Sequence, residues 1–350
     1  MANIFQFEVI TKPIIKYVFA LILSTKRKNC SAMSRNIGIP KKHLYQAYRD
    51  DNGTKQIESL LVKMANKYKE KGLPSVFIID PTNIRKWFAK DMENLAYDYD
   101  GIVGKSKQCL VPVVAAWTNT KITIPLDFLF WINQKLALKY KKKRELAESL
   151  ILKFKNLISF DYVAMDGAFA SEPMLQFCKK YCIDFCMRIA RNRVIVSKDG
   201  INAQLQYHPK LKFKKNERYK TIKATYKGIE CFFTAHKRYS NSGKSWNIVY
   251  IISSLNIPAK EQAKAYNIRW NIEKIFRTAK QSLGLGDCQC LEIEKQRTHI
   301  FAVFYAYAKL EEQKKFKRKR SVEQVLNDLR FQKTPLKDFR SLFLEQTIMS

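Results

Sequence analysis

Acidic residues are scarce in this chain of 350 residues: 31 Asp and Glu stand against 64 Lys and Arg, a formal net charge of +33. That deficit excludes a cationic or neutral molecule as the main partner and points to a long polyanion, because each neutralised phosphate releases counterions and adds affinity. Long apolar runs are missing too. The run PIIKYVFALILS is interrupted by Lys16 and too short to span a bilayer, so a buried helix and no membrane partner are expected. No signal peptide, internal repeat or low-complexity linker is legible, and the eight cysteines are therefore expected to be reduced thiols in a cytoplasmic setting. Cys178, Cys182 and Cys186 are spaced by four, wider than the usual zinc pairs, and read as a helix edge and the strand after it rather than a metal cluster. Hydrophobic residues at 46% are too many for a disordered basic tail, and the length allows two or three domains with real cores.

What is present is organised around residues 263–286, AKAYNIRWNIEKIFRTAKQSLGLG, which the spacing predicts to be one amphipathic helix, with Pro258 suited to a first helical position and Gly284 as its stop. At about 100° per residue, Ile268, Ile272, Ile275, Phe276, Ala279 and Leu283 form one apolar stripe. Tyr266, Arg269, Glu273 and Lys280, spaced three, four and seven apart, form a second stripe beside it. A surface helix with ordinary ion pairs such as Arg269 with Glu273 fits this spacing. So does a carboxylate held between phosphate-binding groups at the edge of a buried surface.

Around that helix the chain divides by texture. Residues 1–72 are predicted to form a helical N-terminal region, with a helix-turn-helix at 30–49. There Met33, Ile37, Ile39, Leu44 and Ala47 supply packing, and Gly38 permits the tight turn. The second helix, opened by Pro40, would present Lys41, Lys42, His43, Gln46 and Arg49 to DNA, although two short helices around any glycine give the same pattern. Residues 73–189 carry an α/β order: LPSVFIID as a buried strand ending in Asp80, then QCLVPVVAAW and ITIPLDFLFW as strands paired to it. A helix over 134–155 with the basic cluster Lys139, Lys141, Lys142, Lys143 and Arg144 comes next. SFDYVAMDGAF is then a strand delivering Asp166, followed by a helix (EPMLQFCKKYC) and a strand (DFCMRIA). Residues 190–249 read as a basic β-rich insertion with turns at DG, KG and SG. The core resumes over 250–295, and 296–350 form a C-terminal helical segment with a KKFKRKR run.

Three carboxylates stand out by position. Asp80 and Asp166 end buried strands, and Glu273 lies on a helix that must pack on the sheet. An acid beside a core is costly unless paired or metal-bound. Three of them in a chain this basic suit a hard cation, Mg²⁺ or Mn²⁺, and two such ions about 4 Å apart drive phosphodiester displacement. The other reading of Asp80 and Asp166 is that they cap turns, as aspartates often do. Asp161, Asp98, Asp100, Asp127, Glu261 and Glu292 also compete for the role.

The spacing Tyr266, Arg269, Glu273, Lys280 resembles the Y-R-E-K signature of insertion-sequence-4-like DDE transposases at all four positions. VFIIDPT around Asp80 and AMDGAF around Asp166 are similar to that family's first and second acidic motifs, and the resemblance spans roughly residues 73–295. It implies a ribonuclease H-like catalytic core with a β-rich insertion, and Asp80, Asp166 and Glu273 as ligands of two Mg²⁺ or Mn²⁺ ions. It also implies that Tyr266, Arg269 and Lys280 touch phosphates near a transposon end. The reaction would be nicking, hairpin formation by the freed 3′-hydroxyl, re-opening and strand transfer into target DNA, by a homodimer in a synaptic complex at the bacterial nucleoid. Family members can stack an inserted tryptophan on a flipped base; Trp246, the only tryptophan of the insertion, is the candidate here, and a plain strand residue is the other reading. A ribonuclease H-like nuclease without strand transfer and an end-binding regulator are the alternatives.

Overall fold

The computed structural model describes residues 12–50, 52–100, 103–132, 134, 140–239, 245–316 and 321–331. Lys139, the SG turn and most of the KKFKRKR run lie outside the described residues.

Four helices come first: α1 (Pro13–Leu23), α2 (Cys30–Ile37), α3 (Lys41–Gln46) and α4 (Gly53–Lys67). The PIIKYVFALIL stretch is α1, and its apolar residues are buried as expected. Between α2 and α3, Gly38 adopts φ 78°, a left-handed conformation that closes the turn without a Cβ clash. Met33, Ile39, Leu44 and Ala47 are buried under it, while Lys41, Lys42, Gln46 and Arg49 face solvent and His43 is half-buried.

The sheet starts at β1 (Val76–Pro81), whose first four residues are buried, as an apolar run covered on both faces requires. After the short β2 (Ile84–Arg85) and β3 (Ala96–Asp100) comes β4 (Lys105–Thr118), antiparallel to β1. β5 (Thr123–Trp131) pairs with β4 and not with β1. The early part of β4 overreaches this core and carries β2 and β3. Two helix-linked strands then join β1 in parallel order. α5 (Lys143–Lys155) leads to β6 (Tyr162–Met165), and α6 (Glu172–Lys180) leads to β7 (Phe185–Ile189). Of the helix predicted over 134–155, residues 135–139 lie outside the described residues, 140–142 are not helical, and α5 starts at Lys143, where the Glu145 carboxylate accepts the Lys142 backbone N–H at 3.0 Å and fixes the first turn.

The basic insertion continues the same sheet instead of standing apart. Its strands are β8 (Val194–Ser197), β9 (Asn202–Gln204), β10 (Tyr219–Tyr226), β11 (Ile229–Tyr239) and β12 (Trp246–Ser253). β12 lies antiparallel against β7, so the sheet runs from β4 through β1, β6 and β7 into β12, β11, β10, β8 and β9.

The stretch predicted as one helix is two, α7 (Ala259–Asn267) and α8 (Trp270–Gln281). In an unbroken helix the Ala265 carbonyl would accept the Arg269 N–H. Here it accepts the Tyr162 hydroxyl of β6 at 3.2 Å, and the Arg269 N–H turns to Tyr266 O at 3.1 Å. A strand side chain therefore takes a carbonyl at the point where the i→i−4 ladder gives way to i→i−3 bonds, the turn that carries Arg269.

Last come α9 (Ile293–Phe316) and α10 (Val322–Arg330). Residues 300–308 of α9 are buried on every side, the pattern of a helix inside a core. Phe301 and Phe304 pack on Phe128 of β5, and α1, α4 and α8 surround the helix. N-terminal and C-terminal helices therefore share one hydrophobic core with the sheet. No helix among the described residues is long and apolar enough to cross a membrane.

Candidate active site

Parallel pairing of β1 and β6 aligns Ile79 with Met165. The next residue on each strand is an aspartate, so Asp80 and Asp166 leave adjacent strands side by side, about 4.8 Å being the spacing of neighbouring strands. Gly167 then turns the chain away so closely past β7 that an added Cβ would stand 3.3 Å from the Arg188 carbonyl. Glu273 comes from the first turn of α8, which its buried residues Ile272, Ile275, Phe276 and Ala279 hold against the sheet.

Arg269 ties two of the three, Asp80 and Glu273, together. Its guanidinium forks, donating to Asp80 Oδ2 at 2.6 Å and to Glu273 Oε1 at 2.8 Å, and the residue is only 5% exposed. Burial pushes the Asp80 carboxyl up to about 7, Arg269 pulls against that shift, and the neighbouring charges of Asp166 and Glu273 add to it. Burial also works against the charge on Arg269, but Asp80, Tyr266 and Glu273 outweigh it and keep the guanidinium protonated. Tyr266 is buried, with Arg269 over its ring, and burial raises its phenol. Arg269 Nε has no hydrogen-bond partner.

A cavity of about 1320 Å³ opens beside these residues. Asp80, Asp166 and Lys280 line it; Glu273, Arg269 and Tyr266 lie outside its lining. Its wall carries six acidic and five basic side chains, so it is a mixed rather than a basic cleft. The Lys280 ammonium is recessed in this wall, and desolvation, then Arg85, lower its pKa although the residue as a whole stays exposed. The second stripe is thus divided: Lys280 faces the cavity, while Arg269 points inward onto carboxylates and not towards solvent.

Each competing acid has an ion-pair or hydrogen-bond partner, and two of them, Asp98 and Asp100, line the same cavity as Asp80 and Asp166. Asp127 pairs with Lys153 at 2.7 Å and Arg297 at 3.3 Å, and Asp98 pairs with Lys143 at 2.8 Å. Arg85 forks onto both oxygens of Asp100, at 2.5 and 2.9 Å. Asp161 accepts the Ser75 N–H at 2.7 Å, and Glu261 and Glu292 pair with Lys264 and Lys295. Among the described residues, no three His, Cys, Asp or Glu side chains stand together as a ready-made metal group.

Trp246 is half-exposed at the start of β12, stacked edge-on to Tyr239, with Arg218 and Lys237 over its ring. β12 pairs Ile251 with Arg188, so Trp246 lies five residues further along, beyond the sheet end where Asp166 emerges, and outside the cavity lining. Lys41, Lys42 and Arg49 belong to the α2–α3 region, also outside it. Two features went unread in the sequence. Arg188 stands next to Asp166 because β6 and β7 pair Met165 with Met187, a neighbour that only the register reveals. The other is the RKWFAKD loop after β2, whose adjacent aromatics between cations were the available signal.

Residues 71–309, most of the chain, match the model of a protein family described as the transposase DDE domain. No curated protein matches the chain.

Proposed function

Because the chain belongs to the family of DDE transposases, we propose that it is an insertion-sequence-4-like member that cuts transposon-end DNA and joins it to a target, acting as a homodimer on paired ends at the bacterial nucleoid. The observation that carries this reading is the pairing of Ile79 with Met165, which delivers Asp80 and Asp166 from adjacent strands to a centre that Arg269 links to Glu273. Three antiparallel strands followed by two parallel ones, each reached through a helix, support a ribonuclease H-like core.

Asp80, Asp166 and Glu273 are the residues that would hold a divalent cation. Their hard oxygens suit Mg²⁺ or Mn²⁺, and the fit rests on the donor set itself, two aspartates leaving adjacent strand ends and a glutamate joined to one of them through Arg269, a gathering of carboxylates that a cation would relieve. Such ions, when bound, activate a water or a 3′-hydroxyl and neutralise the leaving oxygen. The chain's own residues do the rest. Arg269 neutralises Asp80 and Glu273 until a phosphate competes for it. Lys280 offers its ammonium to a phosphate lying in the cavity, and buried Tyr266 packs beneath the guanidinium and keeps its direction.

DNA carrying the element's own ends, incubated with the chain and Mg²⁺, tests the reading. Hairpin-capped ends followed by joined products are expected. Cleaved ends that are never capped or joined would instead indicate a nuclease, and stable binding without cleavage a regulator.

A further inference from the structure

The loop after β2 holds a pair of side chains with no folding role. Phe88 is 94% exposed and Trp87 50%, and with Tyr99 of β3 they form an aromatic wall of the same cavity that Asp80 and Asp166 line. Leaving apolar surface in water forgoes roughly 25 cal/mol per Å², and soluble chains rarely gather such side chains in one patch without a partner.

The loop is also anchored on both sides of the pair. Lys86 is buried, and its ammonium donates to the carbonyls of Gly286 at 3.1 Å and Cys288 at 2.6 Å. Glu93 donates its N–H to Leu291 O at 3.1 Å and accepts the Ile293 N–H at 2.7 Å. The segment after α8 thus clamps the loop at Lys86 and Glu93, and the rings between are presented outward rather than folded in. Arg85 and Lys107 lie over the Trp87 ring at 5.6 and 5.8 Å, placing positive charge beside the aromatics.

We propose that Phe88, Trp87 and Tyr99 form a stacking site for unpaired nucleobases of a DNA strand whose phosphodiester lies against Asp80 and Asp166. Rings flanked by cations match what a single strand offers, flat base faces alternating with phosphates. In an intact duplex the base faces are covered by their neighbours, so a ring as exposed as Phe88 gains little there. At a frayed or opened end those faces are free. The site rests on the transposase reading, and it adds a base-stacking surface on the loop after β2 and on β3, in the cavity of Asp80 and Asp166 and apart from Trp246.

The test compares the full chain with the double variant Trp87→Leu and Phe88→Leu, which keeps apolar bulk and removes both π-faces, and with Phe88→Tyr, which keeps both. The probes are a blunt duplex and the same duplex ending in four unpaired bases that include 2-aminopurine. The wild type is expected to bind the unpaired-end probe about tenfold tighter than the blunt one and to quench its fluorescence. The double variant loses both effects while binding blunt duplex as before, and Phe88→Tyr keeps both. Undiminished preference and quenching in the double variant overturn the proposal. So does a double variant that changes the oligomeric state, which would make the patch a contact between copies. Blunt-duplex binding and cleavage with no preference for unpaired ends overturn the stacking site alone, whereas failure to bind any DNA removes the transposase reading with it.

Discussion

At the site the deciding residue is Arg269, one buried guanidinium serving two half-buried carboxylates, Asp80 the more enclosed and Glu273 the more open. Removing one partner of a buried pair leaves the other charge uncompensated, a loss of about 3–5 kcal/mol. Arg269→Ala is therefore expected to lower the melting temperature in metal-free buffer, and Mn²⁺ is expected to recover much of that loss by taking the vacated charge role. A variant that melts like the wild type with and without Mn²⁺ would show that Arg269 is not the counter-charge of this centre. His299 gives a separate, structural test. It is fully buried, its Nε2 donates to Gly284 O and its Nδ1 accepts from the Tyr17 hydroxyl, both at 2.8 Å. Burial holds its pKa below the ordinary 6.5. A depressed pKa contributes stability that is present above 6.5 and lost as the pH falls below it, because the unfolded chain takes up the proton first. Urea midpoints should thus decline from about pH 6.5 downwards and decline less in His299→Gln, which has no proton to gain; equal slopes would contradict this assignment. Asp80, Asp166 and Glu273 were legible in the sequence as strand-end and helix acids, whereas the ion pairs of Asp127 were not, since Lys153 and Arg297 reach it from distant helices. Asp98 and Asp100 share the cavity wall with Asp80 and Asp166.

Among the elements, the strands and helices of the core were legible from apolar runs and turn residues, because their burial is written in local composition. The break between α7 and α8 was not, since its cause is the Tyr162 hydroxyl, 103 positions away, taking the Ala265 carbonyl. The continuation of the insertion into the core sheet was equally hidden, for strand order is a matter of pairing and not of propensity. The α2–α3 unit is where an element-scale prediction belongs. Lys41, Lys42 and Arg49 are exposed and outside the cavity lining, so reversing their charges should weaken binding to the element's own ends more than binding to arbitrary duplex. Filter-binding titrations on both DNAs check this, and an equal loss on the two would reduce the unit to a general phosphate contact.

For the whole molecule, the net charge of +33 sets the behaviour. Affinity for duplex DNA should fall linearly with salt on a log–log plot, with a slope near −0.9 per phosphate neutralised. A flat plot between 50 and 200 mM salt, roughly the range over which such contacts lose most affinity, would exclude the backbone as the main partner. The charge was plain in the sequence, whereas the sharing of one core by α1, α4, α9 and the sheet was not, because a helix buried on all sides shows no amphipathic period. That shared core fixes α8 against β1 and β5, and Arg269 links Glu273 of α8 to Asp80. The central claim is that these three carboxylates act as one phosphoryl-transfer centre. Mg²⁺-dependent cleavage of end-bearing DNA should be measured for Asp80→Asn, Asp166→Asn, Glu273→Gln and the triple variant, with folding and DNA binding followed in parallel. A divalent ion supplies several kcal/mol to the transition state, so each single change should slow cleavage by roughly 10³-fold or more, and the triple variant little further, with binding retained. Wild-type cleavage by Glu273→Gln, or losses that multiply from one substitution to the next, would contradict a single centre.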